Sequence, residues 1–183
     1  MPSNDKTNPP ADGDRPSQMS HALFVERFGD IFEHTPQIAE RTQRAGLTAD
    51  HDAVDALHAA LMQTVQAMSQ DEKLALIKAH PELAGREAAD GTLTGDSSGE
   101  QGRLGFTALS RTEFDRVSDI NRRYSEKFGF PCIVALTLHA TRDTVIAEMD
   151  RRVANDAGTE LTTALDQIGH IARGRLAKKM LGT

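Results

Sequence analysis

An all-α, single-domain helical bundle is predicted by three features of the sequence. Apolar residues recur at spacings of three and four from Ser20 onward, broken by Pro and Gly at bundle-like intervals. Two capping boxes, Ser69 with Glu72 and Ser110 with Glu113, mark helix starts. The one continuous apolar run, 131–138, has no second strand candidate to pair with. A chain of 183 residues with 38% hydrophobic content is enough for one core and short for two.

The elements follow in order. Ser20 caps a helix expected to reach Glu33, and Thr35-Pro36 places a proline at the first helical position of a second, running to Ala45 before Gly46. A third spans Asp50 to Met68, with Val54, Leu57, Leu61, Val65 and Met68 on one face. The fourth starts at the Ser69 box, turns Leu74 and Ile77 inward and stops at His80-Pro81, because proline disfavours helical geometry in the residue before it. Residues 90–97 (DGTLTGDS) read as loop. From Ser110 a helix carries Phe114, Val117, Ile120, Tyr124 and Phe128 along one face to a stop at Gly129. Residues 131–138 are expected to be a buried helix, and Asp143–Ala154 and Thr159–Leu181 complete the bundle. Residues 1–19, polar and proline-rich without an apolar signal core, are expected to form a disordered tail before a domain over 20–183.

The formal charge of −6 and the scatter of Lys and Arg among acids argue against nucleic acid as a partner. No apolar run approaches the roughly 20 residues that span a bilayer. Cys132, the one cysteine, has no internal partner, so a reducing, cytoplasmic setting is expected. The histidines show no metal-binding spacing and no glycine-rich phosphate loop follows a strand, so neither a metal nor a nucleotide cofactor is expected.

Polar islands between the helices offer chemistry. The His80 ring projects from the end of one helix, whose partial negative charge would favour imidazolium, a proton donor or carboxylate binder. The same dipeptide also fits a plain helix break. Ser97-Ser98-Gly99-Glu100-Gln101 supplies hydroxyls, a carboxylate and an amide, suited either to an ordinary helix start or to fixing ureido and ring-amide edges. Glu100 beside His80 would form a charge-coupled pair. Arg175 borders the apolar stripe of the last helix, placed either to clamp a carboxylate or to snorkel in a basic turn.

In combination and in this order, HPELAGREA, LTGDSSGEQGRLGFTALS, INRRYSEKFGFPCIVAL and the closing IARGRL resemble the 2-oxo-4-hydroxy-4-carboxy-5-ureidoimidazoline (OHCU) decarboxylase family over roughly residues 20 to 181. The resemblance implies a cofactor-free, all-α enzyme that releases carbon dioxide from OHCU and gives (S)-allantoin, the last step from urate. Carried over by motif, His80 is the catalytic acid and Glu100 its partner. Pro81, Ser97, Gln101 and the segment Cys132, Ile133, Val134, Ala135 and Leu136 hold substrate, and Arg175 matches the arginine of the closing motif. A homodimer is also implied. Cys132 departs from the larger apolar residue usual after the GFP triplet; a buried structural thiol there competes with a nucleophile. The competing class is a helical ureide-binding protein without turnover.

Overall fold

The computed structural model describes residues 15–182, and nine α-helices with no strand make up their regular structure. Ser20 caps α1 (His21–Phe28) by accepting the Leu23 amide. The helix ends at Gly29, earlier than expected, and Ile31, Phe32 and Glu33 are buried in the turns that follow. That early stop brings Glu33 into the interior. α2 (Gln37–Arg44) follows Pro36, a 3-10 turn occupies Ala49–Asp52, and α3 (Val54–Ala67) buries Leu57, Leu61 and Val65 as their spacing requires. α4 (Gln70–Ala79) starts at the Ser69–Glu72 box and ends with His80 in an extended conformation, as Pro81 demands. Ile77 is buried, whereas Leu74 is only half-buried.

Two short helices border the expected loop over 90–97. α5 (Arg86–Asp90) is a single short turn, and α6 (Gly95–Arg103) begins within the expected loop because the Thr94 hydroxyl caps it by accepting the Ser97 amide. Gly85 in the first island packs against Glu82, where a Cβ would stand 2.7 Å from that side chain's own Cβ. α7 (Arg111–Phe128) matches its prediction and stops at Gly129 with φ +74°. Val117, Ile120 and Tyr124 are buried, but Phe114 in the first turn is 41% exposed. It lies over a surface groove lined by Phe106 and Leu109.

The expected helix over 131–138 is replaced by irregular chain closing in a 3-10 turn at Leu136–Leu138. Side chains take over the hydrogen bonds a helix would have made internally: Arg152 donates to the Ile133 carbonyl at 2.6 Å, Gln167 accepts the Ala135 amide at 2.8 Å, and Arg103 donates to the Leu136 carbonyl. α8 (Arg142–Arg152) and α9 (Ala157–Leu181, capped by Asp156) complete the bundle.

The long α9 is the centre of the packing, with α1, α3 and α4 against it and α2 joining α1 to α3. Phe24, Phe28, Leu57, Leu61, Ile77, Val117, Ile146, Ile168 and Leu176 are buried in one continuous core. Each such side chain contributes about 1.5–3 kcal/mol by leaving water. At the N-terminus the expected tail is shorter than drawn. Pro16 and Met19 are buried and Ser17 hydrogen-bonds the Asp52 carboxylate at 2.9 and 3.0 Å, so residues 15–19 belong to the fold. The rest of that expectation, residues 1–14, lies outside the described residues. Among the described residues no helix is long and apolar enough to cross a membrane.

Candidate active site

A cavity with about 430 Å³ of space not filled by atoms, open to solvent, lies where α4, α6, α9 and the 131–138 segment meet. His80, Pro81, Ser97, Glu100, Gln101, Cys132, Ile133, Val134, Leu136 and Arg175 all line it. Ala135 does not: it is fully buried behind the wall, its amide given to Gln167.

His80 is 5% exposed, and its Nδ1 lies 2.9 Å from the Leu76 carbonyl one turn back on α4. A carbonyl only accepts, so Nδ1 carries the proton and Nε2 is left with a free lone pair. Nε2 is buried and has no partner in the protein. Burial pulls the imidazole pKa down to about 4, with the Arg175 charge adding to it and the Leu76 bond and Glu33 opposing. This corrects the imidazolium expectation: the helix-end effect is outweighed by desolvation, and His80 is neutral at pH 7.

Arg175 is 3% exposed and bound almost entirely by the protein itself. Its Nε and Nη2 donate to the two Glu100 oxygens, each at 2.9 Å, and Nη1 donates to Glu33 Oε2 at 2.7 Å. The bidentate clamp anticipated for Arg175 therefore exists, closed on Glu100. Glu100 in turn is coupled to Arg175 and makes no hydrogen bond to His80, contrary to the expected charge-coupled pair.

Glu33 was not singled out from the sequence. It accepts from Thr94 at 2.5 Å, from Ser97 at 3.1 and 3.2 Å, and from Arg175. Burial pushes its carboxyl up, but those donors and the Arg175 charge outweigh burial and hold it below the usual carboxylate range. No local signal marks it, since its partner lies 142 positions away. Burial works against the Arg175 charge, but the Glu100 and Glu33 carboxylates that accept from it outweigh burial and hold it more firmly charged. With His80 neutral, two carboxylates and one guanidinium leave the cluster with one net negative charge.

Gln101 has its carbonyl oxygen engaged by the Ala84 amide at 3.0 Å. Its NH₂ is thus the group it has left for a ligand, which selects an acceptor such as a ureido or ring carbonyl. Ala84 adopts φ +50°, in the left-handed region, to make that bond, while Asn121 fixes the neighbouring Leu83 carbonyl at 2.9 Å. The Cys132 thiol is pushed up to about 12 by burial, so the thiolate needed of a nucleophile is absent near neutral pH. Of the other histidines, His58 holds the Gly169 carbonyl, His51 closes a capping box and His21 contacts Gln43. Among the described residues no three His, Cys, Asp or Glu side chains are grouped to hold a metal ion.

Comparisons with known proteins agree with this geometry. A family model described as OHCU decarboxylase matches residues 17–177. The chain is 36% identical to a 2-oxo-4-hydroxy-4-carboxy-5-ureidoimidazoline decarboxylase of Haloferax volcanii, covering 85% of this chain and 88% of that protein. It is 33% identical to the protein of the same name from Mus musculus, covering 87% and 88%. Among solved structures, that of an (S)-allantoin synthase superimposes with a TM-score of 0.69 at 28% identity, over 90% of this chain and 52% of that one, so this chain spans about half of it. With a match of that extent and relatives at that identity, the chain belongs to the OHCU decarboxylase family.

Proposed function

We propose that His80 is the catalytic residue for decarboxylation of OHCU to (S)-allantoin, the closing reaction of urate breakdown, and that Glu100, Glu33 and Arg175 set its electrostatic surroundings. The observation that supports this most strongly is the His80 Nε2 lone pair, buried without a partner in a cavity lined by hydrogen-bonding groups. A neutral imidazole with a free Nε2 lone pair can both accept and return a proton, which Gln101 and Ser97 beside it cannot do near neutral pH.

The substrate supplies its own electron sink. As the bond from C4 to the carboxylate breaks and carbon dioxide leaves, the electron pair forms a double bond between C4 and C5. The pair of the adjacent C=N bond then moves onto nitrogen, which takes up a proton. Nε2 of neutral His80 accepts the C4 hydroxyl proton and returns a proton to C5, leaving a carbonyl at C4. One proton in total comes from solvent, matching the carboxylate charge that is lost. The Leu76 bond fixes the ring, so C5 receives its proton on one face and a single enantiomer results.

Around this step Gln101 offers its NH₂ to a substrate carbonyl, and Pro81, Cys132, Ile133, Val134 and Leu136 shape the apolar wall. Ser97 is committed to Glu33 and Arg175 (3.2 Å), so it positions those charges more than it binds substrate. Glu100, the more open carboxylate with a side chain 20% exposed, is the route by which the cluster exchanges protons with solvent. As part of the same reading the protein is a cytoplasmic homodimer, on the strength of the family likeness; sedimentation velocity tests the dimer, and a monomer would refute it.

The test generates OHCU from urate with urate oxidase and hydroxyisourate hydrolase and follows circular dichroism. The wild type is expected to raise the (S)-allantoin signal rapidly, with His80→Ala about 10²–10⁴-fold slower. Unchanged racemising decay from folded wild-type protein would overturn the assignment.

A further inference from the structure

Behind the cavity wall lies a second buried polar cluster that the chemistry above does not use. Arg152, Glu160 and Tyr124, from α8, α9 and α7, are each 0% exposed. Arg152 donates to Glu160 Oε1 through Nε at 2.7 Å and again through Nη2, and the Tyr124 hydroxyl donates to the same oxygen. Asn155 occupies Oε2 at 2.8 Å. The remaining arginine nitrogen, Nη1, donates at 2.6 Å to the Ile133 carbonyl, in the wall of the cavity.

Stability is a weak reason for such a cluster. Taking an ion pair out of water costs as much as its attraction returns, and apolar side chains of similar volume often serve as well. What the cluster achieves is orientation. With the Ile133 carbonyl tied back by Arg152, and the Leu136 and His139 carbonyls by Arg103, the segment turns its acceptors toward protein donors. Its donors are treated differently: only the Ala135 amide is taken up by a side chain. Among the described residues, the amides of Cys132, Ile133, Val134 and Leu136 have no acceptor, although these residues are 2%, 3%, 8% and 6% exposed and line the cavity. A trans peptide points its N–H opposite to its C=O, so the tie on the Ile133 carbonyl turns the unpaired Val134 amide away from Arg152, and an unpaired amide in a cavity lining is where a ligand acceptor sits.

We propose that Arg152 is a positioning residue that, by holding the Ile133 carbonyl, aims the Val134 amide at the edge of the substrate where negative charge accumulates as carbon dioxide leaves. This rests on the decarboxylase reading, in which the 132–136 segment holds substrate, and adds to it the aiming of one peptide of that wall by a side chain outside the cavity. Donors fixed in advance, in a site sheltered from water, stabilise that charge more in the transition state than in the bound substrate. Removal of Arg152 therefore lowers kcat more than it raises KM, and loosens control over which face of C5 is protonated.

The test removes the cluster without stranding a charge, by Arg152→Met, Glu160→Leu and Tyr124→Phe together. The expected result is a folded protein with a thermal midpoint at or near that of the wild type, kcat reduced about 10²-fold, KM changed much less, and (S)-allantoin of lower optical purity. A folded triple variant with wild-type kcat and optical purity would overturn the proposal. A second measurement needs no folding of that variant. In ¹⁵N-labelled wild-type protein the Val134 amide resonance should shift on addition of (S)-allantoin, and shift less in Arg152→Lys. An unmoved wild-type Val134 amide at saturating allantoin would also overturn it. Failure of the wild type to turn over OHCU would remove the decarboxylase reading itself, so the two failures are distinguishable.

Discussion

Two buried arginines lie on either side of the same cavity wall, and they are used differently. Arg175 faces two carboxylates, leaves the cluster one unit negative, and borders the cavity beside a histidine kept neutral. Arg152 faces one carboxylate and a phenol, is closed off from solvent on every side, and spends its spare donor on a backbone carbonyl. In the proposed mechanism the first cluster sets the electrical environment of the reacting group, and the second sets the shape of the surface against which it reacts. The difference is a matter of stoichiometry and access: an unbalanced, partly open cluster can exchange protons, while a balanced, closed one can only hold geometry.

That contrast makes unequal predictions. The largest effect belongs to Arg152→Met alone, which strands Glu160 with no cation in a fully buried site and should cost about 3–5 kcal/mol in denaturant unfolding. Arg175→Met should cost less, because Thr94 and Ser97 still hold Glu33 and Glu100 reaches solvent. An equal or larger loss at Arg175 would break the comparison.

Next in size is the response to acid. The folded pKa of His80, about 4, lies below its ordinary 6.5, so its contribution to stability is complete above pH 6.5 and is lost as pH falls toward 4. The amount is on the order of 3 kcal/mol. Glu33, also held low, loses its contribution below the ordinary 4.5. His80→Gln should therefore flatten the stability profile between those upper limits and leave the neutral-pH value less affected; an unchanged slope would contradict the neutral histidine. The smallest effect is at Ala84, where Ala84→Gly relieves the φ +50° strain and should stabilise by about 1 kcal/mol or less while preserving the amide bond to Gln101. A loss of stability there would mean that the methyl group's packing outweighs the backbone strain.

Much of this was legible in the sequence where the signal is local. The caps at Ser20, Ser69 and Ser110 and the stop at Gly129 are written in residues three or four apart, and each is in place. Composition and order of the polar islands brought His80, Glu100, Gln101 and Arg175 to one cavity. What could not be read was set by contacts distant in the chain. Glu33 is defined by its bonds to Thr94, Ser97 and Arg175, and nothing in its own neighbourhood announces them. The 131–138 segment is apolar enough for a buried helix, but Arg103 and Arg152 take its Leu136 and Ile133 carbonyls and Gln167 its Ala135 amide from outside, and it stays irregular up to the closing 3-10 turn. The charge of His80 followed the depth of its burial, which outweighs the helix end that the sequence displays.

The central claim is that a neutral His80 presents an unprotonated Nε2 to the cavity. Long-range ¹H–¹⁵N correlation of ring-labelled histidine, assigned by comparison with His80→Gln, reads this directly. The account predicts an Nδ1-protonated neutral ring whose signals stay fixed between about pH 5 and 8. A doubly protonated ring at neutral pH, or titration near 6.5, would contradict it.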